Sequence, residues 1–102
     1  MNSRLELHEI LCGVLKSRHV YFQPPETTRM EYPAIVYNLE NLSQRFADNR
    51  QYKKDTEYEV TIIDKNPDSE IPNRLMETRI ARFGRSYQAD NLNHWVFNVY
   101  YK

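Results

Sequence analysis

Three histidines and one cysteine are the residues of this chain best suited to bind a metal ion or to act as nucleophiles. No two of His8, His19 and His94 have the spacing of a metal-binding motif. Cys12 falls in the middle of a predicted helix, where a cysteine is usually a small packing residue. These four residues therefore predict neither a metal site nor covalent catalysis.

Asp64, Asp68 and Glu70 form a group of carboxylates of the kind that a divalent-metal nuclease requires. Asp68, however, stands where a following helix needs its N-cap, and the other two acids flank the same turn. Helix capping and solubility explain all three residues without a metal ion. We expect no catalytic, cofactor-binding or metal-binding residues, and a small metal-dependent nuclease is the enzymatic alternative.

The segment 45–54 interleaves basic and aromatic side chains. It contains four basic residues, two aromatic residues and one acid. Such a segment can contact phosphates and stack on bases, but a solvated hairpin tip has the same composition. A single copy of this segment favours the interpretation as a solvated hairpin tip, whereas several copies around one axis would concentrate its positive charge. The residues in question are Arg45, Arg50, Tyr52, Lys53 and Lys54.

The composition excludes several classes of protein. A chain of 102 residues is the size of one domain, which we place at residues 1–102. Lys and Arg total 14, as do Asp and Glu, so a neutral chain has no overall attraction to nucleic acid or to an anionic membrane. Two glycines are too few for a glycine-rich phosphate loop. One cysteine cannot form an internal disulfide, which favours a reducing compartment.

No apolar run approaches the roughly 20 residues of a membrane span. The N-terminal residues are polar where a signal peptide is apolar. We therefore expect a protein with no membrane contact that is not exported from the cytoplasm in which it is made.

The first element that positions these residues is a helix that begins near Ser3. Ser3 and Glu6 have the spacing of a capping box. Apolar residues then follow at helical spacing and form the predicted core stripe: Leu7, Ile10, Leu11, Val14 and Leu15. A second line, Leu5, His8 and Cys12, lies outside this stripe. We predict that these three residues contact a neighbouring subunit.

The remaining elements are mostly strands. Strands are predicted at residues 20–22, 34–39, 56–64, 83–90 and 94–102, with a long hairpin tip at 46–54, a tight turn at 91–93 and a short helix that ends near residue 79. Trp95, Phe97 and Val99 alternate along the last strand and should face the helices. This order predicts an α+β fold, a mostly antiparallel sheet with two helices packed on one face.

Several stretches together resemble the small head-proximal tail proteins of tailed bacteriophages. They are residues 20–25 (VYFQPP), 32–37 (YPAIVY), 46–49 (FADN), 58–64 (YEVTIID), 66–69 (NPDS) and 87–94 (YQADNLNH). Within that group the chain is most similar to the tail terminator, also called the tail completion or tail-to-head joining protein. The resemblance covers nearly the whole chain.

The resemblance implies a structural virion protein without catalytic residues. Such a subunit forms a homohexameric ring at the head-proximal end of the tail, ends growth of the tail tube and joins the tail to the head connector. Its expected partners are copies of itself, the tail tube protein and a connector or stopper protein of the head. Its expected location is the virion, after synthesis in the cytoplasm of the bacterial host. A head-closure or connector ring protein of the neck is the alternative.

A ring also gives the basic segment a place. Six round subunits of this size in contact leave an axial opening about as wide as one subunit. Duplex DNA fits through an opening of that width. A tip that reaches this channel from each subunit would repeat its basic residues around the axis. We expect weak, salt-sensitive contact with DNA and no base specificity.

Overall fold

The structure is a computed structural model that describes residues 3–25, 29, 31–43, 46–47, 50–51 and 55–101. For residues 3, 40–43, 46–47, 50–51 and 55 it describes the backbone. Within these ranges, neither helix is long and apolar enough to cross a membrane.

The described part of the chain contains two helices and seven strands. In chain order they are α1 (Ser3–Leu15), β1 (Val20–Phe22), β2 (Ala34–Ser43), β3 (Phe46–Ala47), β4 (Arg50–Gln51), β5 (Asp55–Asp64), α2 (Ile71–Glu77), β6 (Ala81–Ala89) and β7 (Leu92–Tyr101).

Five of the strands form one sheet, in the order β1-β2-β5-β7-β6. The β1–β2 pair is parallel, and the other three pairs are antiparallel. The short strands β3 and β4 pair with each other between β2 and β5, where the hairpin tip was predicted. The mostly antiparallel α+β fold expected from the sequence is confirmed.

The core lies between the two helices and one face of the sheet. Tyr37, Val60 and Phe97 are neighbours across β2, β5 and β7, and all three are buried. They belong to one buried cluster with the helix residues Leu7, Leu11, Val14, Leu15, Ile71 and Leu75. Strand alternation and helical spacing therefore identified both sides of this core, except that Ile10 is only half-buried and lies outside the cluster. The predicted position of Phe97 under the helices is confirmed.

The second helix begins later than the sequence suggested. Asp68 was expected to be its N-cap, and this prediction is wrong: the N-cap is Glu70, whose side chain makes no capping hydrogen bond. The hydroxyl of Ser69 accepts a hydrogen bond from the Ile71 N–H at 3.3 Å instead. Pro72 falls in the first turn, where its missing N–H leaves no hydrogen bond unmade.

The β6–β7 hairpin also differs from the prediction. Its turn is formed by Asp90 and Asn91, both with positive φ (52° and 63°), and β7 begins at Leu92. A two-residue turn with positive φ at both positions matches the twist of the strands, and Asp and Asn tolerate that conformation. The predicted turn at 91–93 therefore begins one residue too late and ends two residues too late.

Candidate functional site

The three residues predicted to contact a neighbouring subunit lie in three different environments. Leu5 is 53% exposed, His8 is half-buried, and Cys12 is only 8% exposed. The exposure of Leu5 leaves it free to make such a contact. For Cys12 the expectation that it lies outside the core is wrong, because Cys12 belongs to the buried cluster.

Cys12 is also covered by the turn that follows α1. Arg18 Nη1 lies 3.7 Å from the Cys12 sulfur and 2.7 Å from Glu9 Oε2. The guanidinium therefore lies between the thiol and a surface carboxylate and holds the turn against the helix. The backbone amides of Lys16 and Ser17 donate to the carbonyl of Cys12 at 2.8 Å and 3.2 Å and close the helix end.

His8 faces a buried tyrosine on β2. The hydroxyl of Tyr37 lies 2.8 Å from His8 Nδ1, and Arg4 Nη1 donates to the same hydroxyl at 3.4 Å. In the neutral tautomer protonated on Nε2, His8 Nδ1 accepts the tyrosine hydrogen while the hydroxyl oxygen accepts from Arg4. Burial lowers the pKa of His8, which favours this neutral form, and raises the pKa of Tyr37.

An aromatic contact extends the same cluster towards β1. The Arg4 guanidinium carbon lies 4.5 Å from the centre of the Phe22 ring, and the Phe22 and Tyr37 rings are 4.9 Å apart. Cation–π and ring contacts of this kind add to the stabilisation from burial. The cluster thus fixes the N-terminal half of α1 on β1 and β2 and leaves Leu5 on the outside.

Side chains of the acidic turn at residues 64–68 accept hydrogen bonds from the backbone of the same turn. Asp64 Oδ1 accepts a hydrogen bond from the Asn66 N–H at 3.1 Å, and Asn66 Oδ1 accepts one from the Asp68 N–H at 2.9 Å. These side chains therefore shape the turn. In the part of the chain that the structure describes, no three His, Cys, Asp or Glu side chains are grouped so that they could hold a metal ion.

The basic segment lies largely outside the described residues. Of its candidates, Arg50 has a described backbone, in β4 and opposite Ala47. Arg45, Tyr52, Lys53 and Lys54 fall outside the described ranges. The pairing of β3 with β4 agrees with a hairpin tip, and contact of this tip with a channel stays a prediction.

One surface of the molecule was not identified from the sequence. This surface lies along β6, the strand at one end of the sheet. All but the first and last residues of β6 are exposed. We call this surface the β6 edge and define it by Arg82, Phe83, Arg85 and Tyr87. Phe83 is 52% exposed although its ring makes an edge-to-face contact with Phe97 at 5.4 Å.

The end of the β6 edge carries a stack of rings. Tyr87 and His94 are opposite each other in the β6–β7 register, with ring centres 4.6 Å apart and planes 9° from parallel. The guanidinium carbon of Arg85 lies 5.9 Å from the centre of the Tyr87 ring. These side chains lie on the sheet face opposite the helices, because their neighbour Trp95 packs against the core.

One sequence signal for this surface exists. Residues 79–89 contain three arginines and no acid, although the whole chain is neutral. Strand alternation alone could not identify the β6 edge, because a strand at the end of a sheet and a central strand have similar sequence patterns until the pairing is known.

Comparisons with known proteins add no family to this description. The chain matches no protein-family model, and no curated protein matches it significantly.

Proposed function

We propose that this protein is a structural virion protein, a tail terminator that forms a hexameric ring at the head-proximal end of a phage tail and joins the tail to the head. The proposal rests on the resemblance of the sequence to that family. One observation in the structure supports a function in assembly more than any other function. Large apolar side chains are exposed on five different elements: Leu5 on α1, Leu39 on β2, Met76 on α2, Phe83 and Tyr87 on β6, and Tyr100 on β7.

A subunit of such a ring needs several separate contact surfaces. A ring interface is heterologous, so each subunit uses two different patches for its two neighbours. A terminator needs two more patches, one for the tail tube and one for the head connector. Exposed apolar residues distributed over several elements suit that requirement better than one pocket would, since interfaces bury aromatic and aliphatic side chains at their centres.

The shape of the subunit agrees with a ring that has a central opening. The molecule measures 49 × 24 × 23 Å, so it is elongated rather than spherical. With its long axis parallel to the ring axis, each subunit has a nearly round cross-section of 24 × 23 Å, and six touching subunits then leave an opening of about 24 Å.

Mass photometry of the purified protein with and without tail tubes tests the proposal. A terminator should form hexamers or bind to tube ends, and negative-stain microscopy should show rings that cap the tubes. A connector ring of the neck should form rings that bind head particles and leave tubes uncapped. A nuclease should degrade DNA in the presence of a divalent metal ion as a monomer or dimer, and this result would overturn the proposal.

A further inference from the structure

The β6 edge lies along a strand that is paired on one side only. β6 pairs with β7 and is the last strand of the sheet. The amide of Tyr100 donates to the carbonyl of Ile80 at 3.1 Å, so the pair Arg82 and Asn98 next along the ladder also exchanges hydrogen bonds. The N–H and C=O groups of Ala81 and Phe83 therefore point away from β7, towards the open side.

The side chains along this open side give it a specific chemistry. Arg82 and Arg85 are exposed, and both lie on the face opposite the helices, since they are opposite Asn98 and Val96. They are on the same face because the strand has a bulge between Phe83 and Arg85. Phe83 lies between them and faces the other way. Among the described residues, neither arginine has an ion pair.

These charges disfavour a second copy of the same strand as the partner. If two copies of β6 paired antiparallel over their full length, Arg85 would lie opposite Arg85 of the other copy. Like charges directly opposite each other destabilise a strand pair. The arginines therefore oppose this pairing, as charges on edge strands commonly do, while Phe83 leaves an apolar contact for a partner with different charges.

We propose that the β6 edge binds an extended acidic segment of another protein, which adds to the sheet as a sixth strand beside β6. Acidic side chains of that segment would lie beside Arg82 and Arg85, and an apolar side chain between them would lie against Phe83. Main-chain hydrogen bonds to Ala81 and Phe83 would supply affinity, and the alternation of acidic and apolar residues would supply specificity. This inference rests on the edge alone and holds whether or not the protein forms a ring.

Binding of a synthetic peptide tests the proposal. The probe is a labelled nine-residue peptide of alternating Val and Glu, the length of β6, and fluorescence anisotropy measures its affinity for the full-length protein. The double variant Arg82→Gln/Arg85→Gln should weaken binding about tenfold or more, because each change removes a charge partner. The control variant Lys16→Gln/Lys65→Gln removes the same charge from exposed residues elsewhere and should bind as the unmodified protein does.

Strand addition is tested separately from charge. A peptide in which each Val is replaced by Pro keeps its carboxylates and loses amide donors, so it should not bind. Hydrogen exchange at the amides of Ala81 and Phe83 should slow when the Val–Glu peptide is bound. Phe83→Thr keeps a strand-forming residue, removes the aromatic ring and should also weaken binding.

Four results would overturn the proposal. They are failure of the Val–Glu peptide to bind, equal binding by the Pro peptide, unchanged affinity of the arginine variant, and displacement of the peptide by duplex DNA that depends on the same two arginines. The last result would identify the edge as a phosphate-binding surface instead. A melting temperature equal to that of the unmodified protein shows that loss of binding does not come from unfolding.

Discussion

The hydroxyl of Tyr37 in the middle of β2 is 2.8 Å from Nδ1 of His8 in α1. Tyr37 is fully buried, and its ring also contacts Phe22 and Tyr58. A buried hydroxyl must be hydrogen-bonded, because leaving it unpaired costs about 1–3 kcal/mol. Together with the contacts of Arg4 and Phe22, this bond holds the first half of α1 on the sheet.

Removal of the Tyr37 hydroxyl should destabilise the protein without changing its fold. Tyr37→Phe keeps the ring and leaves His8 Nδ1 without its partner, so the free energy of unfolding should fall by about 0.5–1.5 kcal/mol. Urea denaturation measures this change. Tyr21→Phe is the matched control, since among the described residues the Tyr21 hydroxyl accepts a single long bond, 3.5 Å from the Glu31 N–H. A larger loss in the control would show that Tyr37 has no special role.

Stability should fall as the solution becomes acidic. Burial is the main cause of the lowered pKa of His8; Arg4 and Arg18 lower it further, and Glu9 opposes them. In the unfolded chain the pKa of His8 has its ordinary value of 6.5. Between pH 6.5 and the lower pKa of the folded state, the unfolded chain therefore binds more protons than the folded one. The His8 contribution is therefore complete above pH 6.5 and is lost as the pH falls from 6.5 to the folded pKa.

The measurement is the unfolding free energy between about pH 8 and about pH 5, the range in which histidines titrate. His8→Gln should reduce the loss of stability on acidification. His94→Gln is the control, because His94 stacks on Tyr87 at the surface hairpin. Equal pH dependence in the His8 variant and the unmodified protein would contradict the assignment of this effect to His8.

Two phenylalanines in contact should differ sharply in their importance for stability. Phe97 is 1% exposed under the helices, and Phe83 beside it is 52% exposed. Phe97→Ala should cost roughly 3–5 kcal/mol, a large part of the stability of a small domain. Phe83→Ala should cost well under half as much, because half of its side chain is already in water. Thermal unfolding of both variants checks this, and similar melting temperatures would contradict the observed burial.

Most of the fold could be predicted because its residues obey simple periodicities. Tyr58, Val60 and Ile62 alternate along β5 and are buried, while the residues between them are not fully buried. The spacing of Leu7 and Leu11 likewise identified the buried face of α1. Such patterns follow from which face an element must bury, so the sequence alone specifies them.

The features that sequence patterns missed depend on contacts between distant segments. Cys12 lies outside the apolar stripe of α1, yet it belongs to the buried cluster that helix and strand residues form together. The β6 edge exists because β6 pairs with β7 alone, and sheet order is a property of the whole topology. Local propensity contains neither fact, so it does not distinguish Arg82 and Arg85 from other exposed charged residues.

Leu5 provides a direct test of assembly through α1. It is exposed at the surface of α1. Leu5→Asp should leave the melting temperature of the isolated subunit within a few degrees and weaken ring formation, which mass photometry measures. Lys16→Asp also places an acid at an exposed residue of this region and serves as the control. A large fall in the melting temperature of the Leu5 variant would show that Leu5 stabilises the subunit itself.

The last prediction concerns the basic tip at residues 46–54, whose charge matters only if several copies meet. One copy adds little to a neutral molecule, but a ring would repeat Arg50, Lys53 and Lys54 around one axis. Contact with passing DNA must be weak, because tight binding would hinder delivery, and it should decline with salt. The same residues could instead pair with Glu57 and Glu59 of the sheet or with the next subunit.

Replacement of Arg50, Lys53 and Lys54 by Gln separates these functions of the tip. If the tip lines the channel, complete particles should still assemble, and DNA retention or the salt dependence of ejection should change. If it pairs with a neighbouring subunit, ring formation itself should weaken, which mass photometry detects before any particle is built. Normal rings together with normal retention and ejection of DNA would mean that the tip is a solvated hairpin end, and the channel function would be withdrawn.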